Sequence, residues 1–183
     1  MNAVCLVSTQ EPVLHVFDFH TGKKTTSVPM PAPVVGLRLH RESNLVAVLG
    51  EDLVLSILDL ETLRIARRFT GFRGRLLDAT FSADGRWVVV CSTDSVVRTF
   101  DIATAQLIDA FRTPSMATSV TFSPLGDFLA TAHVDSVGVH LWVNCAQFAP
   151  VALRALPQGE AAVERDAVLP TMQGVELEAA GDA

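Results

Sequence analysis

The most chemically distinctive part of the sequence is an arginine-rich stretch over residues 64–75, RIARRFTGFRGR, which contains no acidic residue. Arginine makes bidentate contacts to phosphate and stacks on exposed bases, and the interleaved Phe69 and Phe72 could add stacking. The competing interpretation, favoured by a predicted position on an outer strand, is that the charges only block edge-to-edge pairing of sheets. The candidate contacts to RNA or an acidic partner are Arg64, Arg67, Arg68, Arg73 and Arg75.

The histidines and cysteines show no pattern that predicts catalysis or metal binding. None of the five histidines forms a short-spaced pair with a cysteine or a second histidine, as zinc sites require. His133 and Asp135 are close in sequence, but we interpret His133 as a structural residue at a strand end. No G-x-S-x-G, phosphate-binding glycine-rich loop or H-E-x-x-H occurs. The sequence therefore predicts a non-enzymatic protein with no cofactor, no metal and no small-molecule substrate.

Aspartates recur at intervals of 41 or 42 residues in two columns, which indicates a repeated unit. Those of the first column are each followed three residues later by a threonine; they are Asp18, Asp59 and Asp101. The second column consists of Asp52, Asp94 and Asp135. Phe81 and Phe122 lie at the same period and are expected to fill the space between neighbouring sheets. A carboxylate in a tight turn accepts backbone N–H bonds, so these aspartates are interpreted as turn residues and not as catalytic acids.

Each unit is predicted to contain four short antiparallel strands. In the middle unit these are residues 76–82, 87–92, 96–101 and 107–111, separated by short links rich in Gly, Asp, Ser and Ala. Such links are too short for a crossover helix, so neighbouring strands must be antiparallel. A four-stranded antiparallel unit that repeats every 40–45 residues is typical of a β-propeller blade.

The number of units predicts an incomplete ring. Residues 4–8 and 13–19 form the last part of one unit, and three fuller units follow. That makes about three and a half blades, whereas closed propellers have four to eight. We therefore predict an all-β, partial β-propeller over residues 1–156, either a fragment or a half completed by another chain. Its two end blades are expected to expose apolar faces.

Charge distinguishes the end of the chain from the rest. Residues 157–183 contain six acids and one base, a net charge of −5 out of −6 for the whole chain. This segment has no aromatic residue and is rich in Ala, so it is predicted to be a disordered acidic tail or linker. Residues 1–156 are nearly neutral, which argues against capture of nucleic acid by overall charge. A local basic patch is the alternative way in which they would contact nucleic acid.

The sequence indicates neither a membrane protein nor a secreted one. No apolar run approaches the roughly 18 residues of a spanning helix. The first residues, MNAVCLVSTQEP, lack the basic and apolar regions of a secretory signal. Three widely spaced cysteines, Cys5, Cys91 and Cys145, suit a reducing compartment better than a disulfide framework.

The repeated unit resembles the WD repeat. The segments FSADGRW from Phe81 and FSPLGDF from Phe122 match the turn between the first and second strands of that family. The Gly-His dipeptide that usually opens a repeat is missing, so the family's Asp–His–Ser/Thr–Trp hydrogen-bond network cannot be transferred to these residues. The Trp-Asp dipeptide survives in altered forms: Phe17-Asp18, Leu58-Asp59, Phe100-Asp101 and, with only the tryptophan, Trp142-Val143.

The last two units resemble one branch of this family more narrowly. Residues 123–144 and the unit before them are similar to the last two blades of the tandem-propeller WD-repeat subunits of the U3 small nucleolar ribonucleoprotein and small-subunit processome. In that branch a helical domain follows the second propeller, so we expect the present chain to be a fragment.

This narrower resemblance implies a function and a location. It implies a nucleolar, and therefore nuclear, scaffold that supports pre-rRNA processing and small ribosomal subunit biogenesis. Its partners would be other processome and U3 ribonucleoprotein proteins, with pre-rRNA or U3 RNA as candidate ligands and no membrane. The alternative is a WD-repeat protein-interaction adaptor outside the nucleolus, such as a substrate receptor or signalling scaffold.

Overall fold

Four antiparallel sheets follow one another along the chain in the computed structural model, which describes residues 4–8, 10–148, 155–156 and 165–166. Sheet 1 consists of β1 (Val4–Ser8), β2 (Val13–Asp18) and β3 (Lys24–Pro29). Sheet 2 consists of β4 (Val34–His40), β5 (Leu45–Gly50), β6 (Leu55–Asp59) and β7 (Arg64–Phe69). Within each sheet the strands pair in chain order, which is the predicted arrangement of a propeller blade.

Sheets 3 and 4 repeat this plan. Sheet 3 consists of β8 (Leu76–Phe81), β9 (Trp87–Ser92), β10 (Val96–Asp101) and β11 (Gln106–Arg112). Sheet 4 consists of β12 (Ala117–Phe122), β13 (Phe128–His133) and β14 (Val139–Val143). A single helical turn, α1 (Cys145–Phe148), follows, and β15 (Arg165–Asp166) pairs in parallel with β11. No helix among the described residues is long and apolar enough to cross a membrane.

The repeat is visible in the strand pairing as well as in the sequence. In sheets 2, 3 and 4 the register between the first and second strands shifts at the same place in the first strand. The shift lies between Val34 and Gly36, between Leu76 and Asp78, and between Ala117 and Ser119. The first strands β4, β8 and β12 also contact one another in series, which places them on the inner side of the arrangement. Together these features confirm the predicted partial propeller.

Burial explains the composition of the strands. The second strands β5 and β9 are continuous apolar runs, LVAVLG and WVVVCS, because they are covered on both faces by neighbouring sheets. The outer strand β7, RIARRF, is exposed at four of its six residues. Three separate apolar clusters fill the junctions between sheets 1 and 2, sheets 2 and 3, and sheets 3 and 4.

Sheets 1 and 4 each have three strands among the described residues. The β3 strand of sheet 1 was not anticipated from the sequence, which predicted only two strands there. The three described strands of sheet 1 correspond to the second, third and fourth strands of a unit. Among the described residues, sheet 1 therefore has no inner strand to cover Leu39 on the neighbouring strand β4, and Leu39 is 54% exposed. At the other end β14 exposes Val139, Leu141 and Val143 on one face.

Most of the predicted tail, residues 157–183, lies outside the described residues. Its described pair, β15, lies beside Phe111 and Arg112 of β11. Just before this segment, the Leu156 N–H donates to the Leu107 carbonyl at 2.7 Å. Both contacts lie on the outer edge of sheet 3, where β11 would otherwise leave its backbone groups unpaired.

Candidate nucleic-acid interface

The two phenylalanines of the arginine-rich stretch belong to the core. Phe69 is 1% exposed at the end of β7, and Phe72 is buried in the loop to β8. Their ring centroids lie 4.8 and 5.6 Å from that of Phe100 on β10. The expectation that they stack on RNA bases is therefore wrong, because packing of sheet 2 against sheet 3 has already used both rings.

Arg67 joins two blades through its guanidinium group. Its Nε donates to the Ile102 carbonyl at 3.1 Å and its Nη2 to the Ala103 carbonyl at 3.3 Å, across the gap to sheet 3. A third bond runs from Nη1 to the Ala66 carbonyl at 2.8 Å. The guanidinium thus satisfies carbonyls of the turn between β10 and β11, which is a structural role.

The remaining four arginines lie at two opposite ends of sheet 2. Arg64 begins β7 and faces Asp59 in the strand pairing. Arg68 lies four residues further along the strand, about 13 Å away at the usual strand rise, and its Nη2 is 3.8 Å from Asp52 Oδ2. Arg73 and Arg75 follow in the loop at the Arg68 end. The structure therefore divides the predicted five-arginine contact and groups only Arg68, Arg73 and Arg75.

The loop carrying Arg73 and Arg75 is fixed to the turn between β9 and β10. The Arg75 N–H donates to Thr93 Oγ1 at 2.9 Å, and the Thr93 N–H donates to the Arg75 carbonyl at 2.9 Å. The Arg73 N–H reaches Asp94 Oδ2 at 3.4 Å. A Cβ on Gly74 would meet the Thr93 hydroxyl and the Asp94 nitrogen, at 2.7 Å from the latter, so only glycine allows this approach.

Asp94 is neutralised from inside the protein. Arg98, which is 5% exposed, places Nη2 2.8 Å from Asp94 Oδ2 and lies 5.5 Å from the Phe72 ring centroid. Asp94 also accepts from the Ser92 hydroxyl at 2.6 Å and the Val96 N–H at 3.1 Å. Burial raises the pKa of Asp94, but these hydrogen bonds and the Arg98 charge outweigh it and hold the pKa below the ordinary value of 3.8.

The side chains of Arg73 and Arg75 remain exposed above this turn. Within the described part of the chain neither guanidinium has a hydrogen-bond or ion-pair partner. Arg112 comes from the other side, donating Nη1 to the Asp94 carbonyl at 3.2 Å. Arg73, Arg75 and Arg112 thus meet at this turn, and its carboxylate, that of Asp94, is paired with the buried Arg98.

The first aspartate column occupies the turns between third and fourth strands. Asp59 accepts from the Glu61 N–H at 2.9 Å and from the Thr62 hydroxyl at 2.8 Å, and these bonds lower its pKa. Asp18 accepts from the His20 N–H at 2.8 Å, and Asp101 accepts from the Thr104 N–H at 2.9 Å.

The second aspartate column is uniform in position but not in bonding. Asp52 accepts from the Val54 N–H at 3.3 Å, as Asp94 does from Val96. The corresponding turn of sheet 4 is one residue longer, and Asp135 itself takes the left-handed conformation with φ 60°. No hydrogen bond to the Asp135 carboxylate forms among the described residues.

The aromatic columns lie at the junctions between sheets. Phe81 is buried between sheets 2 and 3, with its ring centroid 5.5 Å from that of His40. Phe122 and Trp142 are partly buried between sheets 3 and 4, where Trp142 packs 4.8 Å from Phe111.

Sequence reasoning missed a buried carboxylate that ties three sheets together. The Asp78 side chain is 4% exposed on β8, and its Oδ1 accepts from Arg38 Nε of β4 at 2.7 Å. Its Oδ2 accepts from the Ser119 hydroxyl and the Val120 N–H of β12 at 2.7 and 3.1 Å. Arg38, Asp78 and Ser119 are spaced by 40 and 41 residues, so polar residues recurring on the inner strands close to the repeat period were the available signal.

A second network, also missed, lies in sheet 4. Trp142 Nε1 donates to Thr131 Oγ1 at 2.9 Å, and Thr131 Oγ1 lies 2.7 Å from His133 Nε2. His133 Nδ1 lies 2.9 Å from the Ser115 carbonyl, an acceptor only, so Nδ1 carries the proton in the neutral ring and Nε2 accepts from Thr131. This chain provides a Thr–His–Trp connection without the family's Gly-His dipeptide. Both ring nitrogens of His133 are therefore used in hydrogen bonds within sheet 4 and its preceding loop, which is a structural role.

Comparison with known proteins identifies the family. The sequence model of the WDR36/Utp21 second beta-propeller domain matches residues 1–170. The chain belongs to this family. The match to the WDR36/Utp21 family continues beyond residue 156, the end of the predicted propeller, and includes β15.

Three curated relatives support this membership. The chain is 38% identical over 156 residues to the U3 small nucleolar RNA-associated protein 21 homolog of Schizosaccharomyces pombe, covering 85% of this chain and 17% of the relative. It is 37% identical over 157 residues to human WD repeat-containing protein 36, with 86% and 18% covered. The Saccharomyces cerevisiae U3 small nucleolar RNA-associated protein 21 is 35% identical over 160 residues, with 87% and 17% covered. The chain therefore spans less than a fifth of the length of these relatives.

Proposed function

We propose that this chain is part of a non-enzymatic scaffold in the U3 small nucleolar ribonucleoprotein and small-subunit processome. In that role it supports pre-rRNA processing and small ribosomal subunit biogenesis in the nucleolus, through contacts with other processome proteins. The observation that carries the proposal is family membership over nearly the whole chain, together with relatives named as U3 small nucleolar RNA-associated proteins.

The use of the polar side chains supports a scaffold. Asp78, Asp94 and Asp101 are buried or half-buried carboxylates, and each is engaged by an arginine and by backbone N–H groups that hold sheets and turns together. His133 is held between a hydroxyl and a carbonyl. Groups used in this way stabilise a surface on which partners bind.

Co-purification from cells tests the proposal. We expect the tagged full-length protein that carries this segment to recover U3 RNA well above an unrelated small nuclear RNA, and to concentrate in the nucleolus. A matched variant with Phe100→Ala, which weakens the propeller, should recover less U3 RNA at equal protein level. Recovery of no U3 RNA, with location outside the nucleolus, would contradict the proposal and favour the adaptor alternative.

A further inference from the structure

The guanidinium groups of Arg73 and Arg75, at the end of sheets 2 and 3, are exposed and have no hydrogen-bond or ion-pair partner among the described residues. We infer that Arg73 and Arg75, flanked by Arg68 and Arg112, form a surface that binds the phosphate backbone of RNA. We call these four residues the arginine edge. This inference rests on the proposed function, because that function brings RNA to the protein.

The first argument is electrostatic. Arg73 and Arg75 have no partner among the described residues, and Arg112 contacts the same turn through the Asp94 carbonyl. The carboxylate of Asp94 is paired with the buried Arg98 at 2.8 Å, so it does not compensate the guanidinium groups of Arg73 and Arg75. Positive charge that is not neutralised internally is available to phosphate, and guanidinium is the side-chain group best shaped for it.

The second argument is rigidity. The loop is held on the turn between β9 and β10 by two bonds of 2.9 Å between Arg75 and Thr93. Phe72 anchors the middle of the loop in the core, and Gly74 allows its close approach to the turn. Because the backbone is already fixed, binding does not carry the additional entropy cost of ordering the loop.

The third argument separates RNA from a protein partner. A protein interface usually depends on apolar or aromatic side chains buried at its centre. None of the large exposed apolar residues in the described part of the chain lies within residues 64–75 or 93–95. Contact with phosphates needs charge alone and carries no base information. The arginine edge therefore suits an RNA backbone, and with Phe69 and Phe72 buried it has no aromatic ring for base stacking.

Two arginines of the stretch 64–75 do not belong to the arginine edge. Arg67 is used by carbonyls of the β10–β11 turn. Arg64 lies at the other end of β7, at the same end of sheet 2 as the turn after β4, which contains Arg41. Arg41 and Arg64 are both exposed and carry the same charge as Arg73 and Arg75, so they provide a matched control at the opposite end of the same sheet.

The experiment compares two double variants of the full chain, Arg73→Glu/Arg75→Glu and Arg41→Glu/Arg64→Glu. Each is titrated against a short fluorescent single-stranded RNA of mixed sequence at several salt concentrations. We expect the first variant to bind about tenfold or more weakly at low salt. Its slope of log affinity against log salt should fall by about 1.4, or about 0.7 for each phosphate that the protein no longer neutralises. The control variant should lose much less affinity, and both should unfold at the same urea concentration as the unmodified chain.

Equal weakening by both variants would overturn the inference, because overall charge would then explain binding. Unchanged binding by the first variant would overturn it as well. The proposed function is tested separately, by recovery of U3 RNA from cells. That recovery can occur through protein partners, so normal RNA binding by the first variant in vitro would overturn this inference without contradicting the proposed function.

Discussion

The junction between sheets 2 and 3 and the junction between sheets 3 and 4 solve the same packing problem with different chemistry. Strand pairing places Phe100 and Val90 of sheet 3 at the positions that Trp142 and Thr131 occupy in sheet 4. Both residues of the first pair belong to the apolar cluster between sheets 2 and 3. The second is joined by a hydrogen bond of 2.9 Å. The repeat thus fixes the backbone position and leaves the side-chain chemistry free.

The two solutions follow from the aromatic residue that each junction contains. Phe100 has no polar atom, and Phe69 and Phe72 close over it. The Trp142 indole has an N–H group that needs an acceptor once it is removed from water. Thr131 provides this acceptor, and His133 in turn accepts from Thr131. A change of one aromatic residue therefore requires a change of its neighbours.

The largest expected difference concerns the aromatic residues themselves. Phe100→Ala should lower the free energy of unfolding by about 3–5 kcal/mol, because it opens a cavity in a fully buried cluster. Trp142→Ala should cost about 2 kcal/mol, since its side chain is only partly buried. Urea titration of the full chain measures both values. A larger loss for Trp142→Ala would show that the sheet 3–4 junction carries more of the stability than its burial indicates.

The next contrast is between the turns at Asp94 and Asp135. Asp94→Asn should cost about 1.5–3 kcal/mol at pH 7, because Arg98 loses a charged partner. The folded-state pKa of Asp94 is lowered, so its contribution is complete above the ordinary pKa of 3.8 and is lost as the pH falls through the folded value. The stability difference between the unmodified chain and Asp94→Asn should therefore narrow below about pH 4.

Asp135→Asn is the matched control for this turn. Its carboxylate accepts no hydrogen bond from the described residues, so the change should stay within about 0.5 kcal/mol at pH 7. Thermal unfolding from pH 7 to pH 3 measures both variants. If the curves of Asp94→Asn and the unmodified chain run parallel over this range, the assigned role of ionised Asp94 is wrong.

The smallest contrast exchanges the residues at one position. Thr131→Val should cost about 1–2 kcal/mol, because the Trp142 N–H loses its acceptor and His133 Nε2 loses its donor. Val90→Thr should cost a similar amount by placing a hydroxyl without a partner in the apolar junction. Thr131→Ser keeps the hydroxyl and is the control. Equal urea midpoints for Thr131→Val and Thr131→Ser would remove the hydrogen bond from the explanation.

The sequence was sufficient for the repeat and the strands of the complete units. The predicted strand at residues 76–82 differs from β8 by one residue, and that at 107–111 differs from β11 by one residue at each end. Short apolar runs and turn residues are local signals, so they can be recognised without knowing the contacts. The strand β3, KTTSVP, was missed because only Val28 among its residues is buried, which leaves little apolar alternation.

The candidate interface was predictable only in part. The density of arginines along residues 64–75 indicated a charged surface, but the strand and the loop after it separate the side chains. Arg64 lies at one end of β7, Arg67 contacts the β10–β11 turn, and the other three arginines lie at the opposite end. Phe69 and Phe72 appeared available for stacking because local sequence does not show which face of an outer strand the next sheet covers. The Asp78 network was missed because its partners are 40 and 41 residues away.

The sequence by itself determined the period, the strand order and the turn residues, since each depends on interactions within a few residues or on simple repetition. The tertiary structure decided which charges are compensated. Arg67 and Arg98 are engaged by neighbouring turns, whereas Arg73 and Arg75 are presented to solvent on a fixed loop. The physical reason is that compensation of a charge depends on distances between side chains of different blades, and these distances exist only after the sheets have packed.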